Sequence, residues 1–183
     1  PAIPVEEKII FSKYVHEHLL QNAKDVVRLR HYVCPHCGTP SGNREVAMKV
    51  LNSGRTGLGG GCIGGMKKAI GLSAVQAKTR MQFGRSIAEF GLVKQKLGHM
   101  VVECYATEAV VTMVAALVDQ GYEEYAVEAA ISKVFGSECL WRTVDESLQI
   151  AAGVGYMREM PYEQMMRDTR INRIFEGTNE ILR

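Results

Sequence analysis

Apolar residues recur at spacings of three and four along most of this chain, and this spacing restricts the fold more than any other feature. Val46 to Ile70, Ile87 to Tyr105 and Ala126 to Ile150 each show it, as one face of an amphipathic helix would. Few segments alternate apolar and polar residues over the length of a strand, so β structure has almost no support. We therefore predict an all-α chain.

Residues typical of turns separate the helical segments. They lie at Gly84, at Gln120-Gly121, between Gly153 and Pro161, and at Gly177. These breaks divide the helical part of the sequence into three long helices and one or two short ones. Because short connections place successive helices side by side, we expect antiparallel packing that resembles a four-helix bundle.

A loop sets the first 43 residues apart. Helical spacing runs from Val5 to about Tyr32, and the segment from Cys34 to Asn43 is then rich in proline, glycine, serine and asparagine. We place a domain boundary near Asn43. An N-terminal helix and a Cys-Pro-His-Cys-Gly loop are expected over residues 1–43, and a helical domain over residues 44–183.

Cys34 and Cys37 in that loop have three interpretations. As C-P-x-C-G they resemble half of a zinc ribbon, but a closed structural zinc site needs four ligands and the second cysteine pair is missing. As C-P-H-C they resemble the redox pair of thioredoxin-fold oxidases, whose α/β surroundings are absent. An ordinary reduced loop is the third interpretation, and we assign no metal ligand.

Composition and charge exclude several classes of protein. With 22 Lys and Arg against 20 Asp and Glu, the formal net charge of +2 gives no electrostatic basis for binding nucleic acid. The longest uninterrupted apolar stretch, Ala109 to Val118, is shorter than the ~20 residues of a membrane span, so we expect no transmembrane segment. The five cysteines lie mostly in segments with helical spacing, which indicates a reducing compartment. The first segment does not resemble an export signal, so we expect no secretion.

The glycine-rich run from Gly57 to Gly65 contains a formal G-x-G-x-x-G motif. In a βαβ unit that motif holds a dinucleotide at a helix N-terminus, but here no strand precedes it and both flanks are helical. We favour close packing of helices at small residues, at a cost of roughly 1 kcal/mol of helix propensity for each glycine relative to alanine.

The segment Arg80-Met81-Gln82-Phe83-Gly84 places a cation, an amide and an aromatic ring where two helical stretches meet. This combination suits the binding of a phosphate beside an aromatic face. On residue type alone, a core position for Phe83 and a surface ion pair for Arg80 are the simpler interpretations.

Glu176 stands between Phe175 and Gly177, just before a helix start at which Thr178 and Asn179 suit the capping position. Burial in an apolar pocket disfavours the ionised form of a carboxylate, which makes a glutamate in such a place a competent general base. A capping or surface glutamate is the simpler interpretation of this residue taken alone.

Taken in order, several segments between about Glu45 and Arg183 resemble the C-terminal helical domain of the acyl-CoA dehydrogenase family. They are Arg80-x-Gln82-Phe83-Gly84, Ile87-x-x-Phe90, Gln149-Ile150, Gly153-x-Gly155-Tyr156, Pro161-x-Glu163, Arg167-Asp168-x-Arg170 and Glu176 to Ile181. The sequences of four segments are most similar to those of the very-long-chain branch of the family. These are Phe90-Gly91-Leu92, Asp119-Gln120, Glu128 to Glu138 and Ile174 to Asn179.

The resemblance implies an FAD-dependent enzyme of fatty acid β-oxidation that oxidises a fatty acyl-CoA thioester to the trans-2-enoyl-CoA. It implies that Glu176 removes the α-proton while the β-hydrogen leaves as hydride to FAD, and that electrons then pass to an electron-transfer flavoprotein. The backbone N–H of Glu176 is implied to polarise the thioester carbonyl. A cytoplasmic location is implied in a bacterium, and the mitochondrial matrix or inner membrane in a eukaryote.

Matching positions in the family assign the remaining site residues. Contacts with FAD are implied for Arg80, Gln82, Phe83, Gln149, Gly153, Thr178 and Glu180. Contacts with the acyl-CoA are implied for Asn52, Arg55, Phe175 and Gly177. In the family, the residues that match Arg80, Gln82 and Phe83 contact the FAD of a neighbouring subunit, so the resemblance implies a homodimer or a dimer of dimers.

The chain departs from the family pattern in composition and in extent. Ala152 replaces the usual first glycine of a G-G-x-G-[FY] run, and Gln164 stands where an arginine is common. The N-terminal helical domain and middle β-domain of the family have no counterpart, so we expect a fragment with little or no catalysis on its own. The alternative function is a non-catalytic helical module for interaction or oligomerisation, with or without zinc at Cys34 and Cys37.

Overall fold

The computed structural model describes residues 44–183, which fold into helices and their connections. The three long helices are α1 (Arg44–Thr79), α2 (Gly91–Asp119) and α3 (Ala126–Ala151), and the two short ones are α4 (Tyr162–Arg170) and α5 (Asn179–Leu182). Short 3-10 helices cover Ile87–Glu89, Ala152–Tyr156 and Ile171–Arg173. The predicted all-α fold is confirmed for this part of the chain. The predicted N-terminal helix and cysteine loop lie outside the described residues.

Contacts between side chains fix the directions of the long helices. α2 runs antiparallel to α1, because Gly59 lies against Val111 whereas Ala77, near the end of α1, packs with Met100. α2 also runs antiparallel to α3, where Glu103 pairs with Arg142 and Lys96 pairs with Glu146. The central core is formed by Cys62, Met66, Ala69, Cys104, Cys139, Leu140 and Val144. Successive long helices are therefore antiparallel, as predicted.

The glycine-rich run lies inside α1, so its interpretation as a phosphate-binding loop is wrong. A Cβ added at Gly59 would lie 2.3 Å from Ser132 Oγ and 2.8 Å from Val111 Cγ2, and one added at Gly65 would lie 2.9 Å from Leu140 Cδ1. Close packing is thus confirmed at these two positions. The intervening Gly60, Gly61 and Gly64, and Gly57 before them, have no such neighbour within 4 Å among the described residues.

A two-stranded antiparallel hairpin that the sequence did not predict joins α1 to α2. β1 (Met81–Gln82) pairs with β2 (Arg85–Ser86), with Met81 opposite Ser86 and Gln82 opposite Arg85. Phe83 and Gly84 form the tip with φ of 52° and 78°, the positive values that a two-residue type I′ turn requires. Strands of two residues are too short to leave an alternating pattern in the sequence.

α2 is apolar over much of its length. It has 29 residues, and an 18-residue window within it has a mean hydropathy of 1.7 and is 17% buried, so by length and composition alone it is able to cross a membrane. The expectation of no transmembrane segment rests on the longest uninterrupted apolar stretch, which Glu108 bounds on its N-terminal side. Glu108 pairs with Lys67 of α1 and Glu103 pairs with Arg142 of α3. These ion pairs and the shared core make α2 a helix of the bundle with a largely exposed outer face.

Candidate active site

Glu176 occupies a tight turn just before α5. Its φ is 57° and that of Gly177 is 97°, so two successive residues adopt left-handed backbone conformations. For a residue with a side chain this conformation costs roughly 1–2 kcal/mol, and it persists where the surrounding structure enforces it. The Oε2 atom of Glu176 is buried and has no hydrogen-bond partner among residues 44–183. A buried carboxylate oxygen therefore has its lone pairs free.

α1 approaches this turn from one side. Arg55 Nε donates to the backbone oxygen of Glu176 at 3.2 Å, and Arg55 Nη1 donates to Asn52 Oδ1 at 3.2 Å. Asn52 and Arg55 are both buried. A Cβ added at Gly54 would lie 2.6 Å from Glu176 Oε2 and 2.7 Å from Oε1, so the missing side chain at this position makes room for the carboxylate.

α3 approaches the same turn through Lys133, whose side chain is fully buried. Lys133 Nζ donates to the backbone oxygen of Gly177 at 2.7 Å and to Asn179 Oδ1 at 2.7 Å. Asn179, also fully buried, donates from Nδ2 to Ser137 Oγ at 3.0 Å and to Glu138 Oε1 at 3.3 Å. The turn is thus held from two helices, by a cation from each.

Three more predicted site residues lie on or beside the turn: Phe175, Thr178 and Glu180. Phe175 is 39% exposed, and Glu180 is exposed on α5. Thr178 stands at the N-cap position of α5, but its side chain makes no capping hydrogen bond. Asn179 turns its amide to Lys133 instead, so the expected side-chain cap is wrong. We call Asn52, Arg55, Glu176 and Gly177 the glutamate group.

A second group of predicted residues lies around the hairpin. We call it the hairpin group, and it consists of Arg80, Gln82, Phe83, Gln149 and Gly153. Arg80 Nη1 donates to the backbone oxygen of Ala151 at 3.0 Å, which ties the hairpin to the end of α3. Gln82, Gln149 and Gly153 are all exposed. The structure therefore brings Arg80 beside the segment that contains Gln149 and Gly153.

Phe83 lies at the hairpin tip and is 92% exposed, so the simpler interpretation that it belongs to the core is wrong for this chain. Its ring meets that of Phe90 edge to face, with the centroids 6.3 Å apart. Within residues 44–183, Arg80 forms its side-chain bond with a carbonyl and no ion pair, so the ion-pair interpretation is wrong there too. An exposed aromatic ring held at a positive φ is an arrangement that binding of a flat ligand would explain.

The two groups lie far apart along α1. From Arg55 to Thr79 the helix extends about 36 Å at the α-helical rise of about 1.5 Å per residue. Within one chain, the hairpin group and the glutamate group are therefore far apart. Among the described residues, an apolar groove of 720 Å³ contains neither group and is lined by Val127, Ile131, Phe135 and Leu182, among others.

Gly54, Lys133 and Asn179 are not among the site residues predicted from the sequence. A signal existed for Lys133, because it is a charged residue between Ala129 and Gly136 on the face of α3 that also carries Ser137 and Leu140. Charged residues seldom occupy a buried face unless a partner satisfies them. The partners of Lys133 lie 44 and 46 residues further along the chain, so only the fold reveals them.

Comparison with curated proteins relates this arrangement to known enzymes. The family model of the acyl-CoA dehydrogenase C-terminal domain matches residues 44–183. The mitochondrial very long-chain specific acyl-CoA dehydrogenase of Bos taurus is 47% identical over 146 residues, covering 80% of this chain and 22% of the relative. A probable acyl-CoA dehydrogenase of Mycobacterium tuberculosis is 33% identical over 196 residues, and this match covers 100% of this chain and 29% of the relative.

Solved structures agree with the sequence relatives. An acyl-CoA dehydrogenase of Bacillus anthracis complexed with FAD is 44% identical with a TM-score of 0.71, over 75% of this chain and 27% of that chain. Butyryl-CoA dehydrogenase of Megasphaera elsdenii is 32% identical with a TM-score of 0.75, over 79% of this chain and 38% of that chain. The present chain spans about a fifth of the length of its very-long-chain relatives. It belongs to the acyl-CoA dehydrogenase family, and residues 44–183 are the C-terminal domain of that family.

Proposed function

We propose that this chain supplies the catalytic base, and part of the flavin and substrate sites, of an FAD-dependent acyl-CoA dehydrogenase. The reaction is the α,β-dehydrogenation of a long-chain fatty acyl-CoA to the trans-2-enoyl-CoA. Glu176 is the base that accepts the α-proton. The observation that carries the proposal is the buried and unpartnered Oε2 of Glu176, on a turn held by two helices.

The geometry supports two roles for Glu176. Oε2 makes no hydrogen bond with residues 44–183, so its lone pairs are available to the α-proton of a bound thioester. The backbone N–H of Glu176 also lacks a backbone partner in this part of the chain. An N–H fixed beside the carboxylate is able to donate to the thioester carbonyl, which stabilises the negative charge that develops when the α-proton leaves.

Substrate contacts are proposed for Asn52, Arg55, Phe175 and Gly177. Arg55 has one nitrogen on the Glu176 carbonyl and another on Asn52, so its side chain is fixed beside the base. Phe175 precedes Glu176 in the sequence and is 39% exposed, and an apolar ring at this position suits the carbon chain near a thioester. These residues orient the substrate and limit the access of water to the carboxylate.

The hairpin group fits FAD. Phe83 offers an exposed aromatic face, Gln82 an exposed amide, and Arg80 a guanidinium with donors beyond the one that Ala151 accepts. Gln149 and Gly153 lie in the segment next to Arg80, and Thr178 and Glu180 lie next to Glu176. When bound, FAD supplies the acceptor for the hydride that leaves the β-carbon.

The separation of the two groups favours a flavin site that two copies of the protein share. About 36 Å of α1 lies between them, so the hairpin group of one copy is better placed to meet the glutamate group of another. The exposed apolar face of α2, with Val101, Val102, Tyr105 and Met113, provides surface for such an assembly. We infer a homodimer or a dimer of dimers.

The remaining parts of the proposal follow from family membership. An electron-transfer flavoprotein is the proposed electron acceptor, in the cytoplasm of a bacterium or in the mitochondrial matrix or inner membrane of a eukaryote. Because the chain spans about a fifth of the length of its very-long-chain relatives, we expect little or no turnover from it alone. The largely exposed face of α2 also suits a non-catalytic oligomerisation module, which is the second candidate function.

A chimera tests the proposal, with residues 44–183 in place of the matching segment of the Bos taurus relative. Glu176→Gln in this chimera should lower the dehydrogenation of a long-chain acyl-CoA by at least about 100-fold, because the base is lost. The flavin absorbance of the purified protein should stay unchanged. Glu123→Gln, at an exposed glutamate between α2 and α3, is the matched control and should keep full turnover.

Two results would contradict the proposal. Turnover retained by Glu176→Gln would remove Glu176 from the role of base. A chimera that folds as a colourless protein and does not take up FAD would favour the oligomerisation module.

A further inference from the structure

Lys133 is a buried ammonium whose two hydrogen-bond acceptors are both neutral. They are the backbone oxygen of Gly177 and the Oδ1 atom of Asn179, each at 2.7 Å. A buried charge needs compensation, and neutral acceptors supply only part of it. The carboxylates that act on Lys133 through space are Glu176 and Glu180, while Arg55 opposes them. The charge of Lys133 is therefore coupled to the proposed base without touching it.

Burial disfavours the charged form of Lys133. Desolvation lowers the pKa of Lys133 below its usual value, and the nearby guanidinium of Arg55 lowers it further. Cys62, Glu176 and Glu180 act in the opposite direction. The geometry of the bonds shows where the ammonium acts, because both bonds end on the segment that follows Glu176.

The two cations act on successive carbonyls of one turn. Arg55 of α1 binds the carbonyl of Glu176, and Lys133 of α3 binds that of Gly177. Both residues of the turn have positive φ, a conformation that Glu176 keeps only at a cost. Asn179 joins the same network and anchors the first residue of α5 to Ser137. Removal of Lys133 would leave the turn attached to the bundle by Arg55 but no longer by an ammonium from α3.

We infer that Lys133, with Asn179, is a positioning residue for Glu176 that fixes the Glu176–Gly177 turn so that the carboxylate meets the α-proton of the substrate. Lys133 contacts neither substrate nor flavin in this role. The inference rests on the proposed function of Glu176, and it identifies the residues that orient the Glu176 carboxylate.

The test uses the chimera and compares kcat with KM. Lys133→Met keeps most of the length of the side chain and removes the ammonium. It should lower kcat, per molecule of bound flavin, by at least about tenfold, because loss of aim at the reacting atom affects the chemical step. The KM for the acyl-CoA should change by less than about threefold, since the substrate contacts remain. Lys68→Met, at an exposed lysine on α1, is the matched control and should leave both constants unchanged.

A purely structural role for Lys133 would give a different result. Lys133→Met would then yield less folded protein or a lower melting temperature, but a normal kcat for each flavin-containing site, and this result overturns the inference. Lys133→Gln removes the positive charge and shortens the side chain by one bond, so its amide no longer reaches both acceptors on the turn. It is the variant to measure if Lys133→Met does not accumulate. A kcat within twofold of the unaltered chimera in either soluble variant overturns the inference.

Glu176→Gln in the same chimera separates the two ideas. If Glu176→Gln is inactive and Lys133→Met is fully active, the positioning role fails and the proposed function stands. If Glu176→Gln is active, the proposed function itself fails.

Discussion

Replacement of Gly54 by alanine should separate stability from catalysis in this domain. The new Cβ would lie 2.6 Å and 2.7 Å from the carboxylate oxygens of Glu176. To reach ordinary van der Waals separation the carboxylate must move by about 0.8 Å. This movement costs little energy, because the carboxylate is the end of a flexible side chain. Alanine also favours the helix interior of α1 over glycine by about 1 kcal/mol.

The two effects have opposite signs and different assays. We expect the free energy of unfolding, from urea titration of the 183-residue chain, to stay constant or to rise by up to about 1 kcal/mol. A misplaced base costs rate, so kcat of the chimera should fall about 10- to 100-fold, equivalent to about 1.4–2.7 kcal/mol of activation free energy.

Gly57 provides the matched control for this experiment. It lies three residues further along α1, and a Cβ there meets nothing within 4 Å among the described residues. Gly57→Ala should therefore raise the free energy of unfolding by about 1 kcal/mol, at least as much as Gly54→Ala, and leave kcat unchanged. Full activity of Gly54→Ala would refute the reasoning, because it would mean that the position of the carboxylate does not matter for the reaction.

Two further predictions concern stability. Ala152 has φ of 56° and ψ of −144°, a region that glycine adopts readily, so Ala152→Gly should stabilise the chain by about 1 kcal/mol and raise its melting temperature by about 2–4 °C. Ala130→Gly, the control inside α3, should lower the stability of the chain. A similar loss of stability from Ala152→Gly would show that the backbone at Ala152 is not strained. Burial and the neighbouring Cys139 raise the pKa of the Cys62 thiol from 9.0 to about 12. Since the folded state holds this proton more tightly than the unfolded chain, the stabilisation is complete below pH 9 and is lost as the pH rises towards 12. Between pH 8 and 10 the unfolding free energy should fall by about 1.4 kcal/mol more in the unaltered chain than in Cys62→Ala, and parallel pH curves would contradict this.

Features with a local cause could be predicted from the sequence. The end of α2 follows from Gly121, the reversal of the chain between α1 and α2 from Gly84, and the break before α5 from Gly177. All three glycines have positive φ. The helical spacing predicted α2 and α3 because their buried residues recur at three and four positions. Family motifs then identified Glu176, Arg55 and Asn52, which the structure brings together.

Features with a distant cause could not be predicted in this way. Lys133 and Asn179 are 46 residues apart and satisfy each other only in the folded chain. Gly54 is an ordinary glycine in the sequence, and its proximity to Glu176 depends on how α1 meets the turn before α5. The hairpin of β1 and β2 is too short for a pattern, and it places Phe83 in solvent where residue type alone predicts burial.

The most direct test of the central claim measures proton removal itself. A saturated long-chain acyl-CoA is incubated with the chimera in deuterated water without an electron acceptor, and deuterium at the α-carbon is measured by mass spectrometry. With Glu176 present, deuterium should appear at the α-carbon, and with Glu176→Gln it should stay at the level of a control without enzyme. Equal incorporation by the two proteins would contradict the assignment of Glu176 as the base.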